Sequence, residues 1–286
     1  MERGSKRFEL AVGNAMAMGP LCALVIVLSL FSTTTRADEP VTNKQGSLKP
    51  ARKPVKLPGM VVDYFEKRCV DLEGTICLEK GLLELIACTK GSKEHESIVA
   101  VSAKAMHIHM GLLLLGANNG HPAMRKPVDE EKARWVNVPP RGDSIDVFLV
   151  TTNKDGKLIE KPISDFIVRS SERVDEVDGA VIVAPNQTEK RGGEQETRLP
   201  HTFIFAGSHL RDNGPGPRQY LADLSGNVIS IASFGDELLC LPFHQTQENG
   251  ALMWQVKPGT LPKVGTKITL RLRLRPRKGQ GTAVKK

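Results

Sequence analysis

At 286 residues, with 40% hydrophobic and 25% charged side chains, the chain is long enough to bury a core as one large folded domain or two small ones. Its 40 Lys and Arg outweigh 32 Asp and Glu, a formal +8, but residues 57–262 hold 22 basic against 28 acidic side chains, 22 − 28 = −6. That excludes a basic nucleic-acid groove on the folded part; the basic ends suit an anionic envelope surface or plain solubility.

The first 37 residues follow an export pattern: Arg3, Lys6 and Arg7, then the apolar run "PLCALVIVLSLF" at 20–31, then "STTTRA", which ends in the small residue Ala37. A permanent membrane helix needs about 20 apolar residues. The run is short for that, so residues 1–37 are read as a signal peptide and the mature chain as periplasmic or cell-envelope. If uncleaved, the same run becomes an N-terminal anchor. Residues 38–58 are rich in Pro and Lys and read as a linker. The domain is expected over 59–276, and 277–286 reads as a basic tail.

Most of that domain reads as strands. "GLLELIAC" (81–88) and "ESIVAVSA" (96–103) flank a polar loop containing Gly91 and are expected to form a hairpin. "SIDVFLVTT" (144–152) and "LIEKP" flank Asp155-Gly156, a second hairpin. "GAVIVAP" (179–185), "HTFIFAGS" (201–208), "QYLADLSGNVISIASF" (219–234) and "KITLRLRLRP" (267–276) continue the series. The last puts Leu270, Leu272 and Leu274 on one face and Arg271, Arg273 and Arg275 on the other, as an edge strand with a wet, basic side would.

One helix is expected at about 103–117, "AKAMHIHMGLLLLGA", capped by Ser102. Met106, Met110, Leu113 and Leu114 make one apolar stripe; Ile108, Leu112 and Leu115 make an opposite one. A helix apolar on two sides is buried between layers. The expected fold class is therefore α+β, mainly antiparallel β with one buried Leu-rich helix.

Candidate chemistry centres on "KEHESIVAVSAKAMHIHMG". His95, Glu96, His107 and His109 are the candidate ligand-binding residues, because imidazole and carboxylate groups bind metal and transfer protons. Glu96 is the general base if the protein is an enzyme. A metal set would be His95, His107 and His109 with Cys88, taking zinc or copper. On a helix, His107 and His109 stand about 200° apart and cannot chelate one ion together; on a strand they would share a face. The alternative is that these groups hydrogen-bond to cap a buried helix and pin a loop. His201 and His209, with Asp223, form a weaker candidate set. Cys69, Cys77, Cys88 and Cys240 allow three disulfide pairings, and without a C-x-x-C no iron–sulfur cluster is expected.

The stretch from Leu82 to Gly120 resembles the core motif of the YdjY-domain family of bacterial, often exported, proteins. Cys88, Gly91, Lys93, His95-Glu96-Ser97, His109, Leu112 to Leu115 and Gly116 carry the likeness, and "FIFAGS", "YLADLSGNVISIASF" and "GTKITLRLRLRP" are also similar. The resemblance spans roughly 60–276. It implies an exported domain without an established activity. Members have carried a ferredoxin-like label, which the cysteine spacing here does not support. The sequence thus points to an envelope domain binding a small ligand or metal ion, with a metal-assisted hydrolase or a structural module as alternatives. Oligomeric state is not read from it.

Overall fold

Alternation of apolar and polar residues sets the strands. The computed structural model describes residues 53–129, 134–153, 155–170, 172–177, 180–185, 198–212, 214–245 and 253–277. The expected signal peptide, most of the linker and most of the tail lie outside them. Eleven strands form one sheet: β1 (Val55–Leu57), β2 (Met60–Asp63), β3 (Cys69–Ile76), β4 (Leu85–Thr89), β5 (Ser97–Val101), β6 (Ser144–Thr152), β7 (Leu158–Pro162), β8 (Thr202–Phe205), β9 (Asn227–Ser230), β10 (Leu239–Cys240) and β11 (Lys267–Leu274). There are two short α-helices among the described residues, α1 (Ala105–Leu114) and α2 (Leu221–Ser225). None of the described helices is long and apolar enough to cross a membrane.

The sheet closes on itself. In order, β3, β11, β6, β8, β10, β9, β4 and β5 pair side by side, and β5 returns to β3 through Gly74↔Val101 and Ile76↔Val99. This eight-stranded closed barrel overturns the α+β expectation. Gly74 makes the closure possible. A β-carbon there would lie 2.6 Å from Val99 Cγ1 and 2.9 Å from Ile268 Cδ1. The interior is filled by side chains: Val70, Leu72 and Ile76 of β3, Ile145, Val147 and Leu149 of β6, Phe203 and Phe205 of β8, and Leu270 and Leu272 of β11 are all buried. Small barrels of this strand number are packed solid or hold one small ligand.

The helix is the second correction. Ala105, Ile108, Gly111 and Leu112 of α1 are buried, but Met110, Leu113 and Leu114 stay 51%, 46% and 54% exposed. A barrel offers a helix one supporting face, not two layers to lie between. Gly111 is what brings α1 close: a β-carbon there would meet Met60 Cε at 2.7 Å and Val62 Cγ2 at 3.2 Å. The helix starts after Lys104, not Ser102, and its first N–H, on Ala105, is taken by Asp223 Oδ1 of α2 at 2.5 Å. A cap drawn from 118 residues away leaves no local trace in the sequence.

The hairpin of β6 and β7 forms as expected. Thr152↔Leu158 closes it, and Asn153 Oδ1 accepts from the Asp155 and Lys157 N–H groups. The segment read as a strand across 219–234 instead holds a two-residue strand, α2 and β9. Val55–Leu57, left to the linker by the sequence, pairs with β2.

β11 is not an edge strand; it lies between β3 and β6. Its arginines are neutralised by acids on β3, β6 and β7. Arg271 reaches Asp71 through two bonds (2.6 and 2.7 Å) and Glu160 at 2.7 Å, Arg273 pairs with Glu160, and Arg275 with Asp146 at 2.8 Å. The basic stripe is thus one rail of an ion-pair ladder on the barrel's outer wall.

Two stability outcomes follow. Arg271→Ala strands Asp71 and Glu160 and lowers unfolding stability by about 2 kcal/mol, between the exposed and buried limits for ion pairs, read by urea denaturation. Asp223→Ala uncaps α1 and costs about 1 kcal/mol; an unchanged urea midpoint would show that the 2.5 Å bond adds nothing.

Candidate functional site

The segment singled out by the sequence does not form a hairpin. β4 and β5 run parallel, Ala87 beside Val99 and Cys88 beside Ala100, joined by only residues 90–96. Parallel neighbours oblige the connecting chain to travel back along the strand length. The link therefore crosses the outer wall, over a small apolar cluster of Leu85, Cys88 and Ala100 with Cys77 and Phe234. β9 and β10 are also parallel, and residues 231–238 return over the same side. The two links touch: Lys93 Nζ stands 3.6 Å above the Phe234 ring.

Local bonds fix the first link. The Gly91 N–H donates to Glu94 Oε1 (2.8 Å), Ser97 Oγ donates to Lys93 O (2.7 Å), and the Glu84 N–H donates to Glu96 O (3.2 Å). A 3-10 turn at Glu94–Glu96 then presents His95 outward, its side chain 79% exposed.

Glu84 and Glu96 meet here. Glu84 is pushed up from 4.5 to about 7, first by burial and then by the neighbouring Glu96 carboxylate, with Lys93 and His95 opposing. Glu96 lies 3.5 Å from Lys93 Nζ and 3.7 Å from His95 Nε2. Glu84 O also accepts from the Ile231 and Ala232 N–H groups, at 2.8 and 3.0 Å, which ties it to the second link. Burial and the neighbouring Glu96 thus favour a protonated Glu84, beside an ammonium and an accessible imidazole. Sequence reasoning missed Glu84. The available signal was a lone glutamate inside the apolar run "GLLELIAC", because a half-buried carboxyl needs a partner.

The remaining predicted residues lie elsewhere. α1 follows the far end of β5, so a strand of about 16 Å separates His95 and Glu96 from His107 and His109. His109 Nδ1 is 2.8 Å from Tyr220 Oη and 3.1 Å from Gly207 O, and Tyr220 Oη donates to Gly207 O at 2.6 Å. Burial lowers the His109 pKa and Phe205 meets its ring edge-on, as suits a neutral side chain tying a helix to the barrel. His107 is half-buried, its Nδ1 without a hydrogen-bond partner among the described residues. His201 approaches Asp146 at 3.8 Å, His209 is exposed, and Asp223 is spent on the α1 cap.

Cys88 is buried under the link, in the apolar cluster that Cys77 packs against, and Cys77 Sγ donates to Ser97 O at 3.1 Å. The nearby Cys77 favours the Cys88 thiolate, and the nearby Cys88 with burial raises the Cys77 thiol. All four described cysteines are free thiols. Among the described residues, no group of three or more His, Cys, Asp or Glu side chains is arranged to hold a metal ion. A second buried acid, Glu237, accepts from the Phe234 (3.2 Å) and Asp236 (2.9 Å) N–H groups with Oε2, and its Oε1 has no partner among the described residues.

Compared with known families, residues 51–273 match the YdjY domain. No curated protein and no solved structure matches the chain. The match spans well over half of the sequence and includes all eight barrel strands but the last residue of β11, so the protein belongs to the YdjY-domain family, whose function is uncharacterised.

Proposed function

We propose that the barrel is an envelope binding module that takes a small cation, a metal ion or an amine, at the rim made by Glu84, Glu96, Lys93 and His95. One observation carries the reading: the half-buried Glu84, whose N–H bonds Glu96 O, has its carboxyl pushed up to about 7 beside Glu96, Lys93 and an outward-facing imidazole. Two carboxylates against the single ammonium of Lys93 leave one negative charge, which the proton on Glu84 balances. A cation that displaces this proton gains both carboxylates at once, while His95, 3.7 Å from Glu96 and facing solvent, borders the rim without completing a ligand set among the described residues. The filled interior supports an external site. Export, expected from residues 1–37, would put the rim in contact with envelope solutes.

Calorimetric titration of the full chain with zinc, calcium and a short diamine tests this. One of them should bind more tightly at pH 8 than at pH 6, with proton release at the lower pH, and Glu84→Gln and Glu96→Gln should each abolish it. Binding indifferent to both substitutions, or none with any of the three probes, removes the proposal.

The protonation of Glu84 has its own signature. The folded state keeps the proton up to about pH 7, while the unfolded chain releases it near 4.5. This contribution to stability is complete below pH about 4.5 and lost as pH rises through about 7. From pH 5 to 8, the thermal midpoint of Glu84→Gln should therefore gain steadily on that of the wild type. A constant difference would contradict the protonated Glu84.

A further inference from the structure

The helix α1 carries no charged side chain; Ala105–Leu114 reads AMHIHMGLLL. Met110, Leu113 and Leu114 fall within an arc of about 100° on its outer face, and all three are exposed. Leu224 of α2, also exposed, follows the Asp223 that caps α1 and adds to the apolar surface beside the start of the helix. A helix on a barrel wall ordinarily turns charges to water on this side. A contiguous apolar face in their place marks a binding surface.

The rim of that face is basic and aromatic. Residues 64–68, the turn between β2 and β3, reach the C-terminal end of α1, where Arg68 Nη2 lies 3.5 Å from Leu115 O. They bring Lys67 and also Tyr64, whose ring centroid is 3.8 Å from that of Phe65. Lys104 stands exposed at the other end of the helix. Lys67, Arg68 and Lys104 stand against Glu66; Asp63 is occupied by the Phe65 and Glu66 N–H groups, and Asp223 by that of Ala105. The chain also joins the fold at this level. Val55 of β1 pairs with Val62, and a β-carbon on Gly111 would lie 3.2 Å from Val62 Cγ2. Lys53 and Lys56 therefore enter beside the middle of α1, and Lys44, Lys49 and Arg52 precede them in sequence.

We propose that the outer face of α1 docks the protein on a membrane surface bearing anionic lipid headgroups, with Met110, Leu113 and Leu114 seated among the upper acyl carbons. Interfacial helices bind in this way, apolar side in the boundary and cations toward the phosphates. Tyrosine rings such as that of Tyr64 suit the headgroup level, and each Lys or Arg near an anionic surface adds to the attraction. Charge decides against a second copy as the occupant. In an isologous contact the Lys104 end of one helix would meet the Lys67 and Arg68 end of the other, basic against basic, whereas a phosphate-lined surface complements both ends. The face uses none of the carboxyl residues of the rim and stands or falls apart from that site.

The test places an indole on the face in the full chain. Leu114→Trp is compared with Leu158→Trp, a control at a residue exposed on β7, and the wild-type emission of Trp135 and Trp254 is subtracted from both. The vesicles are brominated phosphatidylglycerol or brominated phosphatidylcholine. With phosphatidylglycerol, the indole of Leu114→Trp should shift to shorter wavelength and lose most of its intensity to the bromine. With phosphatidylcholine the loss should be smaller, and Leu158→Trp should change with neither. Both sites are exposed, so neither substitution disturbs the core. Attachment through the apolar run at 20–31 alone would carry the chain to vesicles yet leave the indole of Leu114→Trp unquenched, which overturns the proposal. Equal quenching in the two lipids overturns the anionic assignment. A shift without vesicles, with a doubled mass in light scattering, overturns it in favour of a second copy.

Discussion

The pairing of β5 with β3 turns a curled sheet into a barrel, and the other features of the molecule follow from it. Before that contact, both strands would present open edges, the usual route to unwanted association between chains. Gly74 sits where the two strands meet, and any side chain there would collide with Val99 and Ile268. Once the ring is closed, the apolar side chains of β3, β6, β8 and β11 fill it. The interior is then committed to stability, and chemistry has to be built on the wall.

Two parallel steps in an otherwise antiparallel ring decide where on the wall. β4 to β5 and β9 to β10 each need a chain that doubles back over the outside. Both returning links are short, so they lie flat, bury a little apolar surface of their own and trap polar groups at its border. Glu84, Glu96 and Glu237 are those groups. At the other end of β5 the polar side chains are occupied differently. His109, Tyr220 and Gly207 bond to one another, and Asp223 completes α1. These groups hold the helix in place, whereas the groups under the links retain unshared capacity.

The link of residues 90–96 has two chemically distinct sides. Its outer side shows carboxyl oxygens and an imidazole, hard and borderline donors within reach of water. Beneath it lie two sulfurs in an apolar setting. One seven-residue connection thus separates a polar face from an apolar one by burial alone.

Much of the strand pattern was legible in the sequence, because a closed antiparallel wall imposes a period of two that "KITLRLRL" and "SIDVFLVTT" display directly. The Asn153 to Lys157 turn and the family likeness were equally local. Three things were not. Strand direction is absent from the alternation pattern, so β4 and β5 read as a hairpin although they run parallel. The two-sided apolar character of "AMHIHMGLLLLG" implied two covering layers, and only closure of the sheet shows that one is missing. Glu84 meets Glu96 across strands, so its meaning depends on which strands become neighbours. Local periodicity is written in adjacent side chains; ring closure, strand direction and cross-strand partners depend on long-range pairing, which the tertiary structure alone decided.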